Sequence, residues 1–159
     1  MDGQFDSRNA LISLVDEVTR LSGRLKSTFA EARRTVGLGD SEMMVLNAVV
    51  EADRAPTVSQ IGRSFGQPRQ LVQRAANALV EAGLLETLPN PDHKRAVLLR
   101  ATAKGIALKR EADAIADAIA GQLMNGLDHD ATRAATLALR AVRKQLEAHM
   151  RGEGGDVED

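Results

Sequence analysis

The 159-residue sequence contains no cysteine, and its only aromatic residues are three phenylalanines. Without cysteine, the chain has no disulfide framework, no thiolate-bound zinc or iron–sulfur cluster and no cysteine nucleophile. So few aromatic rings argue against a stacking platform for single-stranded nucleic acid. No apolar run approaches the roughly 20 residues that span a bilayer, and residues 1–6 lack the basic and apolar segments of a signal peptide. We therefore predict a cytoplasmic protein that does not bind a membrane.

The residues that are present favour a helical domain. Apolar residues make up 43% of the chain and charged residues 27%, and the net charge is −1. This composition is too apolar and too weakly charged for a disordered chain, and the length suits one compact domain. Alanine is abundant and is the best helix former, so helices are expected to predominate.

Charge is unevenly distributed along the chain. Residues 57–105 contain seven lysines and arginines against three acidic residues, a net charge of +4, which leaves −5 for the rest of the chain. A basic middle between acidic arms indicates a localised anionic partner. Ordinary variation among surface residues is the alternative explanation.

The first part of the chain predicts two helices. Apolar residues recur at spacings of three and four through residues 8–35, a pattern typical of one long amphipathic helix. A second helix is predicted from a cap at Asp40 or Ser41 to about Glu51.

A pair of short helices is predicted next. Thr57, followed three residues later by Gln60, matches the capping box and opens a helix that ends near Gly66. Pro68 suits the first position of the following helix, because its missing N–H has no partner there. That helix is predicted to stop at Gly83, a residue well suited to end it.

The periodicity then changes to that of strands. Leu84–Leu88 and Ala96–Ala101 are short apolar runs on either side of a proline-rich polar loop, which predicts a β-hairpin. Thr102 is predicted to cap a fifth helix that ends near Asn125, and Asp128 to cap a sixth. The predicted fold is mainly α with a small two-stranded β-wing, a winged helix-turn-helix between long terminal helices.

The second helix of the short pair carries one polar face. Gln70, Gln73, Arg74 and Asn77 lie at spacings of three, four and seven, with Arg69 beside the start of the row. In the major groove, arginine pairs with guanine and glutamine or asparagine with adenine, and no acidic residue interrupts the row. We predict that these five side chains contact bases; the alternative is a merely solvated face. The residues predicted to face the core are Leu71, Ala75, Ala78, Leu79 and Ala82.

Other polar side chains near this helix suit the DNA backbone. Lys94 and Arg95 at the tip of the hairpin loop could reach phosphates or an adjacent minor groove, and polar groups of the preceding helix could bind phosphate. A solvated turn and ordinary capping or surface residues are the alternatives. We predict backbone or wing contacts from Thr57, Ser59, Arg63, His93, Lys94 and Arg95.

Five segments of this middle region together carry a family pattern. They are Thr57-Val-Ser-Gln-Ile-Gly, Arg69-Gln-Leu-Val-Gln-Arg, Leu79-Val-Glu-Ala-Gly-Leu-Leu, Asn90-Pro-Asp-His-Lys-Arg-Ala-Val-Leu-Leu and Thr102-Ala-Lys-Gly105. From about residue 38 to 105 the combination resembles the multiple antibiotic resistance regulator (MarR) family. The flanking helices match that family only in pattern and length.

The resemblance implies a homodimeric transcriptional regulator, more often a repressor, on a pseudo-palindromic double-stranded DNA operator. It also implies release by a small, often phenolic or aromatic, acidic ligand, although no residue here identifies one. The apolar stripes of the terminal helices support a dimer independently, because a lone monomer would leave them exposed. The implied parts are an N-terminal dimerisation helix (1–37), the winged helix-turn-helix DNA-binding domain (38–105), C-terminal dimerisation helices (106–150) and a flexible acidic tail (151–159).

The chain departs from the family pattern in its wing. His93 stands where many members have aspartate two residues before the wing arginine, so the wing is expected to be braced differently. Thr87 and Leu88 stand where arginine is frequent, so the base of the wing is expected to be less basic. His93 could make DNA binding pH-sensitive near neutrality; the alternative is a solvated loop histidine.

Two other classes of function are alternatives to a DNA-binding regulator. A winged-helix module for protein interaction, without a DNA target, would be favoured by acidic residues on the polar face, and none is there. A small helical enzyme would need convergent acid, base or nucleophile residues, and no catalytic motif is present. Asp128, His129 and Asp130 are consecutive at a helix start and cannot all converge on one metal ion. We predict no enzymatic activity, no cofactor and no metal site.

Overall fold

The computed structural model describes residues 7–153 and confirms a mainly α fold with a two-stranded sheet. Its elements in chain order are α1 (Ser7–Thr28), α2 (Ala30–Thr35), α3 (Asp40–Val50), α4 (Val58–Phe65), α5 (Arg69–Glu81), β1 (Leu85–Leu88), β2 (Leu98–Ala101), α6 (Ala103–Met124) and α7 (His129–Glu153). Two compact units, Met1–Ile119 and Ala120–Asp159, divide the chain. No helix of residues 7–153 is long and apolar enough to cross a membrane.

A single hydrophobic cluster holds α3, α4, α5 and the hairpin together in the first unit. The side chains of Leu46, Leu79, Leu85 and Leu99 are almost fully buried, each at most 2% exposed. Close packing of such branched side chains fixes the elements that carry them. The buried cluster consists of Val45, Leu46, Val49, Val58, Ile61, Val72, Ala75, Ala76, Leu79, Leu84, Leu85 and Leu99.

The predicted capping box at the start of α4 is confirmed. The backbone N–H of Gln60 donates to Thr57 Oγ1 at 3.2 Å, and the N–H of Thr57 donates to Gln60 Oε1 at 2.8 Å. Gly66 ends α4 with φ +61°, a left-handed conformation that glycine adopts without strain. The next helix begins at Arg69 with Pro68 as its N-cap, one residue later than predicted.

The hairpin is antiparallel, with Leu85 opposite Ala101. Its strands are shorter than the predicted apolar runs by one residue at Leu84 and by two before Leu98. The N–H of Leu99 donates to Pro56 O at 2.8 Å. The wing is therefore tied to the loop that precedes α4.

The turn between β2 and α6 packs on the end of α5. Thr102 Oγ1 donates to Gly83 O at 2.7 Å and accepts from the N–H of Gly105 at 3.1 Å, so the predicted cap at Thr102 is confirmed. A Cβ at Gly105 would lie 2.1 Å from Leu84 O. Only glycine allows the first turn of α6 to approach the backbone this closely.

Two lysines hold α6 to the helices beneath it. Lys104 Nζ donates to Ala82 O at the C-terminus of α5, 2.8 Å away. Lys109 is buried; its Nζ lies 2.7 Å from Asp113 Oδ2 and 3.2 Å from Glu51 Oε1 at the end of α3. Burial alone would lower the pKa of Lys109, but the hydrogen bonds and charges of Asp113 and Glu51 outweigh it and raise that pKa above its ordinary 10.5.

The prediction of one helix through residues 8–35 is wrong, because the helix breaks at Phe29. The hydroxyl of Thr28, the last residue of α1, donates to Arg24 O at 2.8 Å. The guanidinium of Arg33 donates to Lys26 O at 2.7 Å, supplying a partner near the break. These bonds are made by polar residues that apolar periodicity does not reveal.

The predicted cap of α3 is also wrong. Gly39 is the N-cap, rather than Asp40 or Ser41. The carboxylate of Glu42 accepts the N–H of Gly39 at 2.6 Å, which satisfies a donor that the helix leaves free.

Apolar side chains line an exposed face of α1. Each is at least 39% exposed, so residues 7–153, which the structure describes, leave this stripe open to solvent. The members are Leu11, Ile12, Val15, Val18, Leu21 and Leu25.

The second compact unit contains α7, which starts where it was predicted to start. The N–H of Ala131 donates to Asp128 Oδ1 at 2.9 Å, the predicted cap. The helix extends to Glu153, into the stretch 151–159 predicted as a flexible tail, and residues 154–159 lie outside the described residues. Apolar side chains of α7 that are at least 37% exposed are Leu137, Val142, Leu146 and Met150.

Candidate nucleic-acid interface

The outer face of α5 carries the polar row predicted from the sequence. Arg69, Gln70, Arg74 and Asn77 are exposed, and Gln73 is partly buried. The side chains that α5 buries come from the opposite side of the helix. The core therefore holds α5 with this row turned towards solvent.

The inward face of α5 differs in part from the prediction. Ala78 and Ala82 are exposed, Leu71 is only partly buried, and Val72 and Ala76 lie in the core instead. Alanine has little apolar surface, so it contributes little free energy on burial at either position. The side of the helix that faces the core is set by Val72 and Leu79, and alanine periodicity alone could not locate it.

Two amides of the row are hydrogen-bonded to each other. Gln73 Nε2 donates to Asn77 Oδ1 at 2.9 Å. The residues are four apart, a spacing that places side chains side by side on a helix.

An open cleft of about 830 Å³ lies between α4, the start of α5 and the wing. It brings together six of the predicted contact residues from three separate parts of the chain: Thr57, Ser59, Arg63, Arg69, His93 and Arg95. The other predicted residues do not line it. Gln70, Gln73, Arg74 and Asn77 lie elsewhere on α5, and Lys94 is exposed on the wing loop.

The cleft is strongly basic. Four arginines line it, Arg54, Arg63, Arg69 and Arg95, against a single acidic residue, Asp92. Within the part of the chain that the structure describes, none of these guanidiniums forms an ion pair. Guanidinium groups bind phosphate oxygens with two parallel hydrogen bonds, so the cleft presents four free phosphate-binding groups.

Thr57 acts as a helix cap in this structure. Its side chain is largely buried, and its Oγ1 accepts the N–H of Gln60. Ser59 lies two residues after Thr57, Arg63 lies about one helical turn after Ser59, and Arg63 is exposed. Among these three, Arg63 presents the most accessible group to a ligand in the cleft.

The wing loop is shaped by hydrogen bonds that its backbone N–H groups donate. The N–H of Asp92 donates to Asn90 Oδ1 at 3.0 Å, and the N–H of Ala96 donates to His93 O at 3.1 Å. Arg95 has no carboxylate partner among the described residues. At the base of the wing, Arg100 is paired with Glu86 at 2.7 Å, so its charge is largely compensated.

Sequence reasoning missed Arg54. This residue lies in the loop between α3 and α4, just before the segment whose basic charge was noted. The bond from Leu99 to Pro56 holds that loop beside the wing, which brings Arg54 to the cleft. Its position in the chain gave no signal, because the contact joins segments more than 40 residues apart.

No metal site accompanies the cleft. Among residues 7–153, no group of three or more histidine, aspartate or glutamate side chains could hold a metal ion.

The fold and the cleft define a winged helix-turn-helix protein of the DNA-binding type. Residues 36–96 match the model of the MarR family. The chain belongs to the MarR family of transcriptional regulators, which is not a class of enzymes.

Similar proteins extend over most of the chain. An uncharacterized protein of Mycobacterium tuberculosis, Rv2011c, is 34% identical over 135 residues, which cover 85% of this chain and 93% of the relative. A MarR-family regulator from Rhodococcus sp. RHA1 superposes with a TM-score of 0.75 at 21% identity, covering 88% of this chain and 96% of the other.

Two further solved structures contain bound molecules. A mutant of MarR from E. coli, complexed with operator DNA, gives a TM-score of 0.71 at 22% identity and covers 86% of this chain and 98% of its own. CouR from Rhodococcus jostii RHA1, bound to p-coumaroyl-CoA, gives a TM-score of 0.69 at 22% identity and covers 79% of this chain and 87% of its own.

Proposed function

We propose that this chain is a homodimeric, sequence-specific DNA-binding regulator, acting as a repressor on a pseudo-palindromic operator. The observation that carries the proposal is the basic cleft, where α4, α5 and the wing meet beside an exposed polar row. In helix-turn-helix proteins the second helix enters the major groove while the first crosses the backbone. The same proposal implies a cytoplasmic protein, since its target DNA is there.

The two groups of side chains have different roles in this proposal. Base contacts come from the exposed row of α5, and phosphate contacts from the cleft and wing, which position the protein without reading sequence. The proposed base contacts are Arg69, Gln70, Gln73, Arg74 and Asn77. The proposed backbone or wing contacts are Thr57, Ser59, Arg63, His93, Lys94 and Arg95, to which the structure adds Arg54.

Exposed apolar stripes support the homodimer. The stripe of α1 and that of α7 each offer several large aliphatic side chains to solvent, and contiguous exposed apolar surface marks interaction sites. A two-fold dimer would cover each stripe with the same elements of a second copy. Its two recognition helices would then read half-sites about one helical turn, roughly 10 bp, apart.

A small aromatic ligand is the proposed signal for release. The support is indirect: the similar CouR was solved with p-coumaroyl-CoA, which carries an aromatic acyl group. A ligand would act by binding more tightly to a dimer whose recognition helices are wrongly spaced for DNA. Displacement of labelled operator by a panel of aromatic acids and their thioesters, at fixed salt, tests this part separately.

Fluorescence anisotropy with DNA flanking the protein's own coding region, across a salt series, tests the main proposal. Arg74→Ala is expected to weaken the free energy of DNA binding by about 1–3 kcal/mol and to relax specificity at one base position. Arg95→Ala is expected to weaken binding to all sequences and to reduce the salt slope by about one.

Arg110→Ala provides the matched control, since Arg110 is an exposed arginine of α6 that lies outside the cleft and the polar row. It removes the same charge and is expected to leave both quantities unchanged. Weak binding that is indifferent to sequence and to both site variants would contradict the proposal. A winged-helix module for protein interaction would then be the better interpretation.

A further inference from the structure

The hydrogen bond between Gln73 and Asn77 has a consequence for base reading. A glutamine amide presents an oxygen acceptor and a nitrogen donor at nearly equivalent positions, and a half-turn of the terminal torsion exchanges them. A freely rotating Gln73 could therefore offer an acceptor and a donor to adenine or, after rotation, a donor to the O6 of guanine. Such an amide discriminates poorly between the two purines.

In the structure the Gln73 amide takes one of these two orientations. One Nε2 hydrogen of Gln73 is donated to Asn77 Oδ1, 2.9 Å away, which places the nitrogen on the side of Asn77. Rotation of the Gln73 amide alone would bring its Oε1 against Asn77 Oδ1, two acceptors with no hydrogen between them, so the bond survives such a rotation only if the Asn77 amide rotates as well. The groups left free are Oε1 and the second Nε2 hydrogen of Gln73.

These free groups match one base edge. In the major groove adenine offers the N6 amino group as donor and N7 as acceptor, whereas guanine offers two acceptors, N7 and O6. An acceptor at Gln73 Oε1 can pair with the adenine amino group but faces the guanine O6 without a proton. Desolvation in the groove makes such an unmatched acceptor costly.

The surroundings favour this pair as the reading unit of α5. Asn77 is exposed, Gln73 is partly buried, and no acidic side chain of the described residues is paired with the neighbouring Arg74. The first turn of α5, by contrast, contributes Arg69 to the lining of the basic cleft.

We infer that Gln73 reads an adenine in each half-site and that Asn77 is a positioning residue, which selects adenine over guanine by holding the Gln73 amide in one orientation. This inference rests on the proposed function, since it names the base that the same face recognises. It differs from two independent amide contacts, in which each residue would read a base of its own.

The test is a binding selection on randomised duplex DNA, performed with the parent dimer, followed by affinity measurements on the selected site. At one adenine position of each half-site the parent is expected to prefer adenine over guanine by roughly 5- to 150-fold. Gln73→Ala is expected to abolish the preference at that position.

Asn77 variants separate positioning from direct reading. Asn77→Ala is expected to reduce the adenine preference at the Gln73 position by about 2- to 12-fold, the net value of one hydrogen bond, while the other positions keep theirs. Asn77→Asp still accepts the Gln73 amide proton, so it is expected to retain the preference while the added negative charge weakens binding to all sequences.

The outcomes are distinguishable. If Asn77→Ala relaxes a different position from Gln73→Ala, or relaxes none, the inference is overturned although the regulator function stands. Loss of the preference in Asn77→Asp also overturns it. If the parent itself selects no sequence, the proposed function fails together with the inference. Circular dichroism of each variant confirms that α5 is folded, since it shares the core with the rest of the unit.

Discussion

The winged-helix core and the terminal helices bury their apolar residues to very different extents. Leu46 and Leu79 in the core are at most 1% exposed, whereas Ile12 of α1 is 61% and Met150 of α7 is 65% exposed. The winged-helix core thus buries its apolar residues within a single chain. Helices α1 and α7 instead expose aliphatic stripes to solvent, and this difference is the main reason to expect that a second copy of the chain covers them.

The largest effect is expected from one leucine-to-alanine change made in both regions. Leu79→Ala removes a fully buried side chain and is expected to lower the free energy of unfolding by about 2–5 kcal/mol at any protein concentration. Leu137→Ala on α7 is expected to act only through the dimer, so its effect should depend on protein concentration. Urea unfolding of both variants at two protein concentrations a hundredfold apart compares their losses of stability. Equal losses that do not depend on protein concentration would contradict the difference between the two regions.

A charge in the α1 stripe gives the next largest effect. Ile12→Asp is expected to raise the dimer dissociation constant at least about 100-fold, because a two-fold interface loses the aliphatic contact twice. Asn9→Asp adds the same charge to the same helix at a polar position and is expected to leave the dimer dissociation constant unchanged. Sedimentation velocity over a dilution series measures both, and a parent that is monomeric throughout would refute the dimer.

The smallest expected effect concerns the ion pairs that hold α6 on the core. Asp113 and Glu51 are mostly exposed, so Lys109→Met is expected to lower the free energy of unfolding by less than about 1 kcal/mol at pH 7. The pKa of Lys109 is raised in the folded chain. Its stabilising contribution is therefore fully present below pH 10.5 and is lost as the pH rises through the folded pKa.

Urea midpoints of the parent and of Lys109→Met between pH 8 and 11.5 test that expectation. The difference between the two proteins should be constant up to about pH 10.5 and shrink above it. A difference that grows with pH would show that the cation is not the stabilising form.

Local chemistry explains which predictions succeeded. The capping pair of Thr57 and Gln60, the stop at Gly83 and the cap at Asp128 depend on residues within four positions of each other, so the sequence alone was sufficient. The break at Phe29 was missed because the apolar spacing of three and four continues across it.

The sequence by itself determined the order of elements from α3 to α7 and the polar row of α5, because capping, turn residues and periodicity act over a few neighbours. The tertiary structure decided what those residues meet. It brought Arg54 to the wing and placed Val72 rather than Ala78 in the core. These outcomes depend on packing and hydrogen bonding, whose partners and directions exist only once the chain is folded.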